Sequence, residues 1–285
     1  VKSLLKNMPL PVIFHRMDIP YGARCPMLPS RREAVRKIAH QRERSQGQEM
    51  NLSYRLRTVA SFVPEGSVVA DIGTDHGYIP IYLCKEGKIE RALAVDVKEG
   101  PLERAREHIA DYGLEDKIEI RLSDGMKSLR PGEADTAVIA GMGGELTIRI
   151  LTEGKHMWTS IKRWILSPQS EIHKVRAFLR EYGFPTEKEA MVMEDGKYYT
   201  VICAAGWDQT QASAEKNPVY DCYGEYLIRT GNPVLAGYLE REKGQKEQIL
   251  KGLETGADRS EKAAVRIEEL KQELEWIKEA QNEMQ

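Results

Sequence analysis

The chain is predicted to fold as an α/β protein: a doubly wound parallel sheet with a terminal antiparallel hairpin, followed by a C-terminal α-helical coiled-coil hairpin. Three observations predict this. From residue 52 onward, short apolar runs alternate with helical stretches, the pattern of a parallel sheet covered on both faces. A turn at Asp195-Gly196 joins two further strand-like segments, Ala190–Glu194 and Tyr198–Ala204. Near the C-terminus Ala263, Ile267, Leu270, Leu274 and Ile277 recur at spacings of 4, 3, 4 and 3, an a/d seam.

Each element has a local cause. Leu52, Leu56, Val59 and Phe62 fall on one helical face, and Pro64-Glu65-Gly66 ends that helix. The run 67–72 is a first strand. Further strands are expected at 91–95, 118–122, 136–140 and 163–166, separated by helices over 79–85, 101–112, 145–151 and 171–182. In the tail, 233–254 and 258–283 read as two helices joined at Thr255-Gly256-Ala257, with Leu235, Leu239, Ile249 and Leu253 sharing a face of the first. The expected division is therefore a basic extension over 1–49, a sheet domain over 50–206, a connector over 207–232 and the helical hairpin over 233–285.

Composition narrows the function. With 285 residues, 41% apolar and 30% charged, the chain can bury a sizeable core and is not globally disordered. A net charge of −2 argues against a polyanion-binding surface over the whole molecule. Four cysteines without CxxC spacing argue against a zinc module or disulfide framework and for a cytoplasmic location. No apolar run approaches the roughly 18 residues of a membrane span. Charge is unevenly spread: residues 1–49 hold ten Lys/Arg against four acids, which makes them +6 and the remainder −8. Prolines at 9, 11, 20, 26 and 29 break helices there, and no signal-peptide pattern is present. This segment reads either as an arm that holds RNA phosphates or, preferably, as a poorly ordered extension ahead of a natural start at Met50.

Ligands of doubly wound sheets bind at the carboxyl ends of the strands, so the strand tips carry the functional argument. The first tip, Asp71-x-Gly73-Thr74-Asp75-His76-Gly77, supplies glycines where backbone must approach a ligand. The second ends in Asp96-Val97, and an acid there can accept both hydroxyls of a ribose. The third gives Ser123-Asp124-Gly125, with a carboxylate that can accept from an adenine amino group. The fourth, Ala140-Gly141-Met142-Gly143-Gly144, is a glycine-rich floor for a planar group. Singly, Asp96 and Asp124 read as helix caps; four such tips in succession read as one site. There is no Walker Lys-Ser/Thr pair, and the acids would repel a pyrophosphate. They suit a cofactor with a positive centre and no phosphate, which describes S-adenosyl-L-methionine.

These residues resemble a Rossmann-like class I S-adenosylmethionine-dependent methyltransferase and, more narrowly, the bacterial TrmK family, which methylates N1 of adenine 22 in tRNA. The resemblance runs from about Leu52 to the C-terminus, on LSYRL (52–56), ADIGTDHGYIP (70–80), IAGMGGEL (139–146), LSPQS (166–170), EDGKYY (194–199) and YGEYL (223–227). Asp75 replaces the middle glycine of the broad class pattern, in agreement with the narrower family. The fourth tip carries no carboxamide or aromatic group, so base recognition must be supplied differently.

The resemblance implies S-adenosyl-L-methionine as cofactor, tRNA as partner and in-line methyl transfer to the adenine N1 lone pair. Asp71, Gly73, Gly77, Asp96, Val97, Asp124, Gly125 and Ala140 are then cofactor-binding candidates. Asp75, or a carbonyl of the Gly141, Met142 and Gly143 tip, would stabilise the positive charge developing on the base. His76 and Tyr78 would orient the base or line the methionine pocket; the competing readings are a structural histidine and a packing tyrosine. The hairpin, with nine basic and twelve acidic residues, reads as self-satisfied, as a dimer seam or as a brace for tRNA through Arg241, Lys243, Lys246 and Lys251. A monomer or weak dimer is expected. Alternative functions are methylation of another RNA or a small molecule, or a non-catalytic cofactor- or RNA-binding module.

Overall fold

The structure is a computed structural model and describes residues 50–256 and 260–285. The basic segment 1–49, with both readings given for it, and part of the turn expected near residue 257 lie outside the described residues.

Helix α1 (Tyr54–Phe62) starts at Ser53, whose hydroxyl accepts from the Leu56 amide. It leads into β1 (Val68–Ile72), α2 (Tyr78–Lys85), β2 (Arg91–Asp96), α3 (Glu99–Asp111), β3 (Ile118–Leu122), β4 (Thr136–Ala140), α4 (Gly144–Glu153), β5 (Arg163–Ser167) and α5 (Ile172–Tyr182). The hairpin β6 (Thr186–Glu194) and β7 (Lys197–Ala205) completes a seven-stranded sheet of order β3-β2-β1-β4-β5-β7-β6. Strands β1 to β5 are parallel; β7 enters antiparallel beside β5, with β6 at the edge.

Alternation along the strands builds two cores. Ala70, Ile72, Leu93, Val95, Ala137, Ile139, Trp164 and Leu166 face one layer. The residues between them, Val69, Ala92, Ala94, Val138 and Ile165, face the layer that holds α1 and α2. Strand order reverses between β1 and β4, so their carboxyl ends open a crevice where α2 and α4 begin.

The stretch expected as a connector is itself folded. It holds α6 (Pro218–Tyr223) and α7 (Glu225–Arg229), and it docks on the sheet through a buried ion pair. The Arg176 guanidinium on α5 donates to the Glu189 carboxylate on β6 through Nε and Nη2, at 3.0 and 2.8 Å, and both side chains are almost fully buried. Its Nη1 donates to the carbonyls of Asp221 and Cys222 at the end of α6. At Gly224, φ +87°, a Cβ would fall 2.5 Å from Glu189 Oε2, so only glycine fits beside the pair.

Helices α8 (Pro233–Thr255) and α9 (Glu261–Glu283) form the antiparallel hairpin, with Gln281 bonded to Glu240 near its base and Lys271 facing Glu254 near its tip. Leu235, Leu239, Ile277 and Ala280 pack with Val219, Leu227, Ile228 and Met191, which fixes the base of the hairpin to the connector and β6. Ala263, Leu270 and Ile277 of the expected seam are buried. Ile249, expected on the shared face of the first helix, is half exposed. Midway, the interface is ionic: Lys246 pairs with Glu273 and Glu242, and Glu273 also meets Arg266.

Arg176→Ala should lower unfolding free energy by about 3–5 kcal/mol, because Glu189 would remain buried without its partner. Urea denaturation measures this. The joint replacement Arg176→Met with Glu189→Leu should cost clearly less, and equal losses for the two proteins would refute the account.

Candidate active site

The first tip is shaped by residues in the left-handed region. Gly73, His76 and Gly77 have φ of +77°, +62° and +69°. The turn is hooked to the neighbouring strand by Gly73 N–H and Thr74 N–H, which both donate to Val95 O at 2.7 and 2.9 Å. Gly73 lies under the fourth tip: a Cβ on it would sit 1.8 Å from Met142 Cε. Thus the two tips flanking the strand-order reversal touch.

His76 is a non-glycine residue in a strained conformation at this point. Its carbonyl bonds His108 Nδ1 at 3.0 Å, and its Nε2 stands 3.5 Å from Asp75. The rings of His76, Tyr78 and His108 lie nearly parallel, with centroids 5.1 to 5.6 Å apart. Tyr78 is 38% exposed, so its ring packs on the histidines and still presents a face to solvent. Asp75 is held by Arg104 Nη2 at 3.2 Å. Arg104 and His108, one turn apart on α3, escape a reading of the strand tips alone; their i, i+4 spacing after the second tip is the only sequence signal for them.

Asp96, half buried, accepts from Lys98 N–H through one carboxylate oxygen at 2.8 Å, while its carbonyl accepts from Ser123 N–H. It thus fixes the turn that leads into α3, whose N-cap is Lys98, and its second oxygen stays available. Val97, next to it, is 56% exposed. Asp124 faces Lys127 at 2.6 Å and Arg149 at 3.3 Å, and the Lys127 bond holds its carboxyl below the usual range. A carboxylate offers about four acceptor positions, so these two cations leave room for another donor. Gly125, φ +60°, turns the chain tightly against Ile150.

At the fourth tip, Gly141 has φ +85° and donates to Ser167 O. The loop after β5 folds over this tip: Gln169 N–H donates to Met142 O at 2.8 Å, and Gly144 N–H donates to Ser170 O. A Cβ on Gly144 would fall 2.6 Å from Ser170 O, so the glycine run permits this contact. The carbonyls of Met142 and Gly143 are both engaged, the latter by Thr147. Ala140 ends β4 half buried at the floor of the crevice.

Among the described residues seven buried side-chain polar atoms have no partner, and three of them lie at the first and fifth tips: Thr74 Oγ1, His76 Nδ1 and Ser167 Oγ. Such atoms mark places where a ligand or water completes the bonding. Asp71, buried in β1, has its carboxyl pushed up to about 6, first by burial and also by the charge of Asp96. Thr74 pulls the other way, although its hydroxyl reaches no acceptor at hydrogen-bond distance. The tips thus offer positive-φ backbone, a free carboxylate oxygen on Asp96 and unfilled polar groups. This donor set fits a nucleoside-bearing cationic cofactor.

The sheet order and these tips define a methyltransferase of the doubly wound type, and residues 52–202 match the family model described as a methyltransferase domain. The tRNA (adenine(22)-N(1))-methyltransferase of Bacillus subtilis is 34% identical over 239 residues, covering 81% of this chain and 97% of that protein. The crystal structure of the B. subtilis m1A22 tRNA methyltransferase TrmK superposes with a TM-score of 0.72 at 32% identity, covering 81% of this chain and 99% of that one. A Streptococcus pneumoniae protein solved with S-adenosyl-L-methionine gives a TM-score of 0.70 at 30% identity, covering 81% and 99%. The chain belongs to the tRNA (adenine(22)-N(1))-methyltransferase family.

Because the folded Asp71 carboxyl titrates near 6 against 3.8 when unfolded, folding takes up a proton between these values. The stability from that proton is complete below about pH 3.8 and is lost as pH rises through about 6, a change of roughly 3 kcal/mol. Asp71→Asn should remove this loss. Chemical denaturation at pH 4.5 and 7.5 should show the variant gaining on the wild type with rising pH; a constant difference would disprove the assignment.

Proposed function

We propose that this protein methylates N1 of adenine 22 in tRNA with S-adenosyl-L-methionine as cofactor. The observation that carries the reading is the meeting of the Gly73 and Met142 tips at the strand-order reversal, within a chain of this family. Asp96, through its free oxygen, holds the ribose, and Val97 lies against the adenine. Asp124 accepts the adenine amino group, sharing its carboxylate with Lys127. Backbone at Gly73, Gly77, Gly125 and Ala140 comes close to the cofactor, and Asp71 supports the first turn from below.

Bound there, S-adenosyl-L-methionine supplies a methyl group on a sulfonium, open to in-line attack by the unprotonated adenine N1. No proton leaves N1 before attack, so the protein's task is positioning and electrostatics. Asp75 is already paired with Arg104, which weakens it as a sole stabiliser of the methylated base. Of the fourth tip's carbonyls, those of Met142 and Gly143 are engaged and that of Gly141 shares the role, and the His76–Tyr78 rings wall the base. A base within a duplex arm has to be extruded or lie in a distorted region to reach the tips.

For partners, the helical hairpin braces the tRNA, and the protein acts as a monomer or weak dimer in the cytoplasm. Among the described residues no helix is long and apolar enough to cross a membrane. Lys246 is unsuited to a phosphate grip because Glu273 and Glu242 hold it, whereas Arg241, Lys243 and Lys251 have no carboxylate partner among the described residues.

Incubation with unmodified tRNA transcripts and nucleoside mass spectrometry should yield N1-methyladenosine, and an adenine-22-to-guanine transcript should abolish it. Methylation that persists on the second RNA would reassign the target. Asp96→Ala should weaken cofactor binding by about 10- to 100-fold, the loss of a hydrogen bond to a charged group. Unchanged calorimetric affinity would remove Asp96 from the ribose.

A further inference from the structure

The fourth tip carries no carboxamide with which to read a base, and the fold brings one there from the fifth. Gln169 follows β5, and its main-chain N–H is tied to Met142 O, which fixes the residue over the glycine run. Its side-chain Nε2 lies 3.8 Å from the position a Cβ on Gly141 would take. The carboxamide is exposed and has no hydrogen-bond partner among the described residues, although its backbone is pinned.

Gln169 also lines a groove of about 480 Å³ between the strand tips and α8. The antiparallel register of β5 with β7 ends at Leu166↔Ile202, and beyond it Gln169 and Tyr199 of β7 line this groove together. Tyr198, Tyr199 and Tyr238 line the same groove. Arg241 closes its far side, donating to Gly196 O at 3.3 Å and standing over the Tyr198 ring, with no carboxylate partner. A pinned but unpartnered carboxamide, aromatic walls and a guanidinium that makes no ion pair among the described residues, beside Lys197 and Glu242 in the same lining, suit one nucleotide of an RNA: base edge, base face and phosphate.

We infer that Gln169 is the residue that reads the target adenine, donating through Nε2 to N7 and accepting from the N6 amino group through Oε1. The inference rests on the adenine-N1 reading above. Its chemical logic is that a carboxamide matches the N6/N7 edge of adenine in a bidentate pair. That edge leaves N1 and its lone pair unobstructed for methyl transfer. Guanine presents O6 in place of the amino group, and the Gln169 oxygen would face another acceptor. Gln169 is thus a positioning and specificity residue; it moves no proton and forms no bond with the methyl group.

The test compares two assembled tRNAs, one with adenosine and one with 7-deazaadenosine at position 22, by kcat/KM with wild type, Gln169→Ala and Gln169→Glu. Loss of N7 should slow the wild type by about tenfold, the order of one discriminating contact. Gln169→Ala should be about tenfold slower on adenosine and indifferent to the N7 replacement. Gln169→Glu, which cannot donate and sets a carboxylate against the N7 lone pair, should show no penalty for the N7 replacement. Calorimetric affinity for S-adenosyl-L-methionine should stay within about twofold for both variants, since the side chain is assigned to the base and not the cofactor. If Gln169→Ala retained the wild-type penalty for 7-deazaadenosine, or lost cofactor affinity in step with rate, the assignment would fall while the adenine-N1 reading stood. Absence of N1-methyladenosine from wild type on the adenosine tRNA would overturn that reading and the Gln169 assignment together.

Discussion

The approach of the β1 tip to the β4 tip is the constraint on which the site depends. Two parallel strands at a strand-order reversal send their helices to opposite faces, so the chain must leave each strand sharply and in different directions. Here that departure uses left-handed backbone at Gly73 and Gly141, and the Met142 side chain fills the space above Gly73. Any side chain at 73 would collide with it and strain the turn. The carbonyl of Val95 then satisfies the first two amides of the β1 loop, and Ser167 O satisfies Gly141. The two turns are thus held mainly by backbone hydrogen bonds, with Met142 packed between them.

A second constraint acts from the other edge of the sheet. The Arg176–Glu189 pair, buried where α5 crosses β6, also ties down the carbonyls that end α6. The connector is therefore anchored at α6, and the base of the α8–α9 hairpin packs on it through an apolar cluster that includes Met191 of β6. Arg180 adds a bond to the Asp221 carboxylate. Through this chain of contacts the hairpin leaves the sheet at a fixed place beside the β6–β7 turn, where Arg241 meets Gly196. A groove that combines residues of β5, β7 and α8 can hold its shape only under such a mount.

The alternation of strands and helices, the closing hairpin and the four successive tips were legible because they depend on local pattern: period-2 burial, glycine at positive φ, and acids at strand ends. What was not legible depends on register between distant segments. Placing β7 between β5 and β6 brings Tyr199 and Gln169 to one groove, and nothing local to LSPQS or EDGKYY records that neighbour. Arg104 and His108 look like ordinary solvent-side residues of α3 until the DIGTDHGY loop is folded onto them. The apolar spacing of the C-terminal helices predicted a hydrophobic seam, yet its middle is held by Lys246, Glu273 and Arg266. Charges at nominally outward positions face one another once the two helices are antiparallel, and they set which residues meet.

The charge arrangement of the tips agrees with the chemistry they have to support. Transfer to an adenine nitrogen needs no general base, because the lone pair is present at neutral pH. Asp71, whose carboxyl is pushed up to about 6 by burial, sits within β1 rather than at the mouth of the crevice, where a proton acceptor would have to be. The acids nearer the mouth are instead engaged, Asp75 by Arg104 and Asp124 by Lys127 and Arg149, which fixes their orientation. Fixed dipoles and fixed charges of this kind favour a transition state in which positive charge moves from sulfur to the base, since they need not reorganise as it passes. On the proposed reading the site holds two planar groups at a set distance, and the selectivity of such a site has to come from the residues that grip the second of them.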